Sequence, residues 1–149
     1  MEKKAQDPLV FSVFNEIGII DQLATTQLER VLPDGMKISH FAVLNHFARL
    51  GGEESPVQLA RAFQVTKGAI TNTLQRLETR GLITIRPDPR DGRAKLVAIT
   101  AAGLDQRDRA IKAVAPLMAR LVAQIPEEDF AAALPFLQRL RAYLDEMRN

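Results

Sequence analysis

From Ser55 to Thr100 the chain reads SPVQLARAFQVTKGAITNTLQRLETRGLITIRPDPRDGRAKLVAIT, and this stretch leaves few folds open. Ser55 offers a hydroxyl to the unpaired amides of a helix start, and Pro56 stands where no amide donor is needed. A short helix is therefore expected there, with Leu59, Ala60 and Phe63 on one face. Gln64 and Val65 break it. Thr66 is a second cap, and the helix it starts should run to about Arg80 and stop at Gly81, with Ile70, Leu74 and Leu77 as its core stripe. The β-rich runs LITIR (Leu82 to Arg86) and AKLVAIT (Ala94 to Thr100) flank the turn residues PDPRDG, which makes them two arms of a hairpin. Its tip carries Arg90 and Arg93. Helix, turn, helix and hairpin together are a winged helix-turn-helix, so the expected fold class is mainly α with a small β-hairpin wing.

At about 100° per residue, the face of the second helix opposite its core stripe carries Gly68, Asn72, Gln75 and Thr79, with Ala69 and Arg76 on one flank and Thr71 on the other. It has hydrogen-bonding groups and no large apolar residue. Asn and Gln can pair two-pronged with an adenine edge in a major groove, and Gly68 and Ala69 would let the backbone come close. Lys67, in the first turn beside the positive end of the helix dipole, suits a phosphate better than a base. The full set of candidate DNA-contacting residues is Ser55, Thr66, Lys67, Gly68, Ala69, Thr71, Asn72, Gln75, Arg76, Arg86, Arg90, Asp91, Arg93 and Lys95. For the helix residues the competing reading is a solvated face, and for the hairpin tip a charged, soluble turn.

Charge points the same way. Residues 1–60 hold 5 Lys/Arg against 8 Asp/Glu, residues 61–95 hold 8 against 3, and residues 96–149 hold 7 against 7. The overall +2 thus conceals a local excess of +5 on the helix and hairpin. A basic patch on a near-neutral body predicts a polyanion addressed by one face, double-stranded DNA above all.

Residues 1–7 are polar and expected to fray. A helix is expected from Pro8 to about Leu32, with more apolar surface than one small domain can cover. Pro33-Asp34-Gly35 is a turn, Ser39 the next expected cap, and His40 to Leu50 the next helix, ended by Gly51-Gly52. After the hairpin, Thr100 should cap a helix running to about Gln124, and Pro126 should open the last one; Pro116 and Pro135 predict a bend in each.

The order VTKGAITNTLQRLETRGLI then RPDPRDGRAKLVAIT resembles the multiple-antibiotic-resistance regulator (MarR) family of bacterial repressors. The likeness rests on a helix ending in LxxRGLI, Arg86 at the end of the first wing strand, Asp91 and Arg93 in Asp-x-Arg spacing, and a strand closing on Ile99-Thr100 before a helix. It implies a homodimer, with residues 37–100 as the DNA-binding lobe and 8–33 and 101–149 as dimerisation helices in one domain, 1–149. It further implies that Arg93 enters a minor groove with Asp91 holding its guanidinium, and that a small lipophilic or aromatic effector binds between the parts. Phe11, Phe14, Phe41 and Phe47 are candidates to line that pocket, core packing being the other reading of the same residues.

The expected function is then a ligand-responsive transcriptional repressor that binds a short inverted repeat. The alternative is a winged-helix interaction module that binds a protein and does not read DNA; steep salt dependence of binding separates the two. The chain has no cysteine, so neither a disulfide nor the thiol peroxide sensor found in some such repressors is available to it. A Gly-rich phosphate loop, an HExxH and a GxSxG elbow are all missing, so no enzyme is expected. His40 and His46 are six apart, not four as in a helical metal site, and are expected in a surface or boundary role; no metal or cofactor is expected. Glu53-Glu54 reads as a solvated loop. No signal peptide and no apolar run of about 20 residues is present, so a cytoplasmic location without a membrane partner is expected.

Overall fold

The computed structural model describes residues 7–148. The fraying expected for residues 1–7 falls, Asp7 apart, outside them. Among the described residues the elements are α1 (Leu9–Val31), a single 3-10 turn (Pro33–Gly35), α2 (Ile38–Leu50), α3 (Pro56–Phe63), α4 (Lys67–Thr79), β1 (Ile83–Pro87), β2 (Lys95–Ile99), α5 (Ala101–Gln124) and α6 (Glu127–Glu146). This is the mainly α architecture with one hairpin that the sequence predicts.

Local chemistry accounts for most of the boundaries. Ser55 accepts from the Gln58 amide at 3.2 Å while the Gln58 side chain accepts from the Ser55 amide at 2.8 Å, a reciprocal capping box that starts α3. Gln64 ends α3 in the left-handed region, with φ 57°. The Thr66 hydroxyl caps α4 through the Ala69 amide at 3.1 Å, and Gly81, with φ 71°, turns the chain out of it. Thr100 serves two elements: its hydroxyl donates to the Gly81 carbonyl at 2.7 Å and accepts from the Gly103 amide at 3.0 Å.

The start of α2 departs from expectation. Ser39 lies inside the first turn, and the free amides go elsewhere: Lys37 N–H to the His40 ring at 3.2 Å, Ile38 N–H to the Glu29 carboxylate of α1 at 3.1 Å. Unpaired amides at a helix start need acceptors, and a tertiary neighbour supplied one that no local pattern announces.

The hairpin is antiparallel, with Ile83 opposite Ile99, Ile85 opposite Val97 and Pro87 opposite Lys95. Glu54 extends it by an isolated bridge, exchanging both backbone hydrogen bonds with Val97 at 3.1 and 2.8 Å. One core joins these elements. Met36, Val43, Leu44, Phe47, Leu59, Ile70, Leu74, Leu77, Ile83 and Val97 are all buried, each such side chain stabilising the fold by roughly 1.5–3 kcal/mol.

The chain forms two compact units, one up to Val114 and one from Ala115. The first holds α1 to the hairpin, the opening turns of α5 and the whole of the core above. The second consists of the rest of α5 and α6, and both helices continue through their internal prolines, Pro116 and Pro135. No described residue of α6 is buried, and Phe130, Leu134, Phe136, Leu137 and Leu144 stand exposed.

Candidate nucleic-acid interface

α4 is held by one face only. Ile70, Thr73, Leu74 and Leu77 are buried, which leaves Lys67, Gly68, Ala69, Thr71, Asn72, Gln75, Arg76 and Thr79 on the open side, as the period predicts. A Cβ built on Gly68 would meet nothing within 4 Å, so the backbone there is open to a close approach. The Thr71 hydroxyl donates to the Lys67 carbonyl at 2.8 Å, that of Thr79 to the Gln75 carbonyl at 2.8 Å, and Arg76 Nε to Asn72 Oδ1 at 3.2 Å.

The hairpin tip is shaped by its acids. Asp88 Oδ1 accepts from the Arg90 amide at 2.9 Å and Asp91 Oδ1 from the Arg93 amide at 3.0 Å. These are Asx turns, in which a carboxylate folds the backbone two residues on. Asp91 therefore holds Arg93 by its main chain, where the resemblance implied a hold on the guanidinium.

Six of the expected residues, Ser55, Lys67, Thr71, Gln75, Arg93 and Lys95, line one cleft of about 660 Å³ between α4, the start of α3 and the hairpin. Glu78 puts an acid on its wall. Asn72 and Arg76 lie instead along a second recess of about 350 Å³, with His40 and Arg80. Thr66, Gly68 and Ala69 are exposed at the start of α4, and Arg90 and Asp91 at the hairpin tip.

Arg86 has another task. Its guanidinium is forked onto Glu53 through Nε at 3.0 Å and Nη2 at 2.6 Å, and that hydrogen-bonded partner raises its pKa. It fastens the hairpin to the loop before α3. Glu54 makes the parallel connection, accepting from or donating to His46 Nε2 at 2.8 Å according to the imidazole tautomer and carboxyl protonation. Exposed Glu53 and half-buried Glu54 thus also serve as latches between the hairpin, this loop and α2, beyond the solvated loop expected.

The turn after α1 is a second junction missed in the sequence. Asp34 has φ 55°, a left-handed conformation that Asp tolerates better than most residues. Its carboxylate accepts from Gln106 at 3.0 Å and Arg109 at 3.1 Å, both on α5, while its carbonyl accepts from Arg80 at the end of α4 at 2.9 Å. The Gln106 and Arg109 hydrogen bonds and the Arg109 charge hold the Asp34 carboxyl below its ordinary pKa. An Asp in a Pro-Asp-Gly turn hints at local turn chemistry; nothing nearby names partners more than seventy residues on.

Histidine and phenylalanine expectations need revision. His40 is buried rather than at the surface, at 7% exposure. Burial, then the positive charges of Arg76, Arg80 and Lys37, push its imidazole below the ordinary value, with Glu29 acting in the opposite sense. Phe47 is sealed in the core and Phe41 packs against it, so the core reading holds for these two. Phe11 and Phe14 are exposed on α1. The four thus lie in different surroundings in a single copy. Packing decided this: α2 turns its aromatic face inward and α1 leaves much of its own outside.

A recognition-type helix with a buried inner face, preceded by a capped short helix and followed by a basic hairpin, defines a winged helix-turn-helix. Residues 34–94, which contain α2, α3, α4 and β1, match the model of the MarR family. Solved structures share the fold over most of the chain's length. The organohalide-sensing regulator RdhR, in its 2,4-dichlorophenol-bound form, is 21% identical with a TM-score of 0.83, over 99% of this chain and 92% of that one. PcaV from Streptomyces coelicolor, in complex with its natural ligand, is 20% identical with a TM-score of 0.79, over 93% and 98%. A mutant MarR from E. coli, complexed with operator DNA, is 24% identical with a TM-score of 0.78, over 90% and 99%. Among the described residues no helix is long and apolar enough to cross a membrane, and no group of three or more His, Asp or Glu could hold a metal.

Proposed function

We propose that this chain represses transcription as a homodimer that grips a short inverted repeat and lets go when a small lipophilic or aromatic ligand binds. The observation that carries the DNA-binding part is a segregation of charge. Lys67, Arg76, Arg90, Arg93 and Lys95 are exposed and take part in no ion pair among the described residues. Of the nearby acids, Glu78 stands on the cleft wall, while the others are engaged elsewhere: Glu53 on Arg86, Glu54 on His46, Asp88 and Asp91 on backbone amides. The cations are thus left for an external polyanion, α4 being narrow enough for a major groove and the hairpin tip placing Arg93 beside it.

Support for a dimer comes from apolar surface with no cover. On α1, Leu9, Val10, Phe11, Ile20 and Leu23 are exposed, and α6 has the exposed residues named above. Surface of that extent on a monomer marks an interaction site, and a second copy would cover it. Two-fold symmetry would set two α4 helices into successive major grooves about 34 Å apart, which an inverted repeat matches. The ligand-bound relatives support an effector, which would act by favouring a different spacing of the reading helices.

An anisotropy titration against duplex DNA at two salt concentrations tests the reading. Affinity should fall steeply with salt, and Arg93→Ala should weaken binding to all sequences alike. Salt-insensitive binding, or none, would sink it.

A further inference from the structure

The open face of α4 does not meet a partner with every group its side chains possess, because part of each is already used inside the helix. Thr71 and Thr79 have given their hydroxyl protons to the Lys67 and Gln75 carbonyls, so only lone pairs face outward. Arg76 Nε is engaged by Asn72 Oδ1 at 3.2 Å. What remains of Asn72 is its amide N–H pair and one lone pair of Oδ1, and what remains of Arg76 is the terminal fork of its guanidinium. This neighbouring pair, one helical turn apart, offers mainly donors.

That inventory decides which base edge fits. Asn reads adenine by accepting from N6 through Oδ1 while donating to N7, and here the Arg76 guanidinium already takes one lone pair of Oδ1 and ties the amide to the helix surface. Guanine shows two acceptors, O6 and N7, to the same groove, and a guanidinium fork matches both. The surroundings keep Arg76 available for this. It has no ion pair among the described residues, and its neighbours along the recess, Arg80 and His40, include no acid to draw it aside.

We propose that Arg76, oriented by Asn72, reads a guanine in each half-site, so that this pair sets the sequence preference of α4 and Asn72 acts as a positioning residue rather than as an adenine reader. The inference rests on the DNA-reading function above.

The test is selection of the full-length chain against a pool of randomised duplexes, followed by paired titrations in which guanine or adenine occupies the selected position. Wild type should enrich guanine at one position of each half-site. Arg76→Lys, which keeps the charge and loses the fork, should cut the guanine-over-adenine affinity ratio about tenfold or more. Asn72→Asp, which keeps the acceptor, should retain the guanine preference, and Asn72→Ala should weaken it. Circular dichroism checks that each exposed-site variant is folded. Adenine enriched at a position whose preference vanishes in Asn72→Ala would overturn the inference in favour of direct reading by Asn72. Salt-sensitive binding with no position responding to Arg76→Lys would overturn it while leaving the DNA-reading function intact. Absence of salt-sensitive binding to any duplex would remove both.

Discussion

Replacing Gly103 by alanine puts a methyl group where the fold has no room. A Cβ built there falls inside contact distance of the Leu82 carbonyl oxygen and 2.7 Å from Ile99 Cγ1. The first of these is backbone, which cannot swing aside, so the start of α5 would have to move off the strand region it is capped against. Overpacking of this kind costs about 1–3 kcal/mol. Gly→Ala inside a helix favours folding by up to roughly 1 kcal/mol, and that gain offsets part of the loss. The net expectation is a destabilisation of about 1–2 kcal/mol, a fall in Tm of roughly 2–8 °C for a chain of this size. Gly68→Ala provides the internal control, since α4 there is open and its Cβ would touch nothing within 4 Å. It should raise Tm by up to about 4 °C while weakening DNA binding, if the backbone at Gly68 approaches the duplex. Thermal unfolding of both variants at one protein concentration is the assay, because association shifts Tm. A Gly103→Ala protein as stable as wild type, or stabilised like Gly68→Ala, would refute the packing argument.

Three further outcomes follow from the same coordinates. Phe47→Ala empties a fully buried site and should cost about 3–5 kcal/mol by denaturant titration, whereas Phe14→Ala on exposed α1 should cost a single copy far less. His40 has its pKa lowered in the fold, so its contribution is present above the ordinary value of 6.5 and lost as pH falls below it, when the unfolded chain takes up the proton first. His40→Asn should flatten the stability-pH curve in that window; an unchanged slope would contradict it. Asp34 is likewise lowered, from 3.8, so its contribution should be whole above 3.8 and be lost as pH falls from there through the folded value. Asp34→Asn should remove that acid step, and Asp34→Ala should in addition disfavour the left-handed turn, seen as a lower Tm at neutral pH.

How much of this was legible in the chain depends on the distance over which each feature is encoded. Ser55 with Gln58, Thr66 with Ala69 and Thr100 with Gly103 each meet a partner three residues away, so the sequence by itself determined where α3, α4 and α5 begin. The stripe Ile70, Leu74 and Leu77 follows from the helix period, and with it the side of α4 that faces outward. The fold class and the polar reading face were therefore readable without coordinates. Tertiary structure alone decided the rest. Arg86 looked like a free cation until Glu53, 33 residues away, was brought beside it. Asp34 looked like a turn residue until α5 arrived with Gln106 and Arg109. Gly103 became obligatory only because the backbone at Leu82 crosses it. Caps and periods are short-range and written in neighbouring residues, whereas ion pairs, close approaches and burial depend on which distant segments the core draws together.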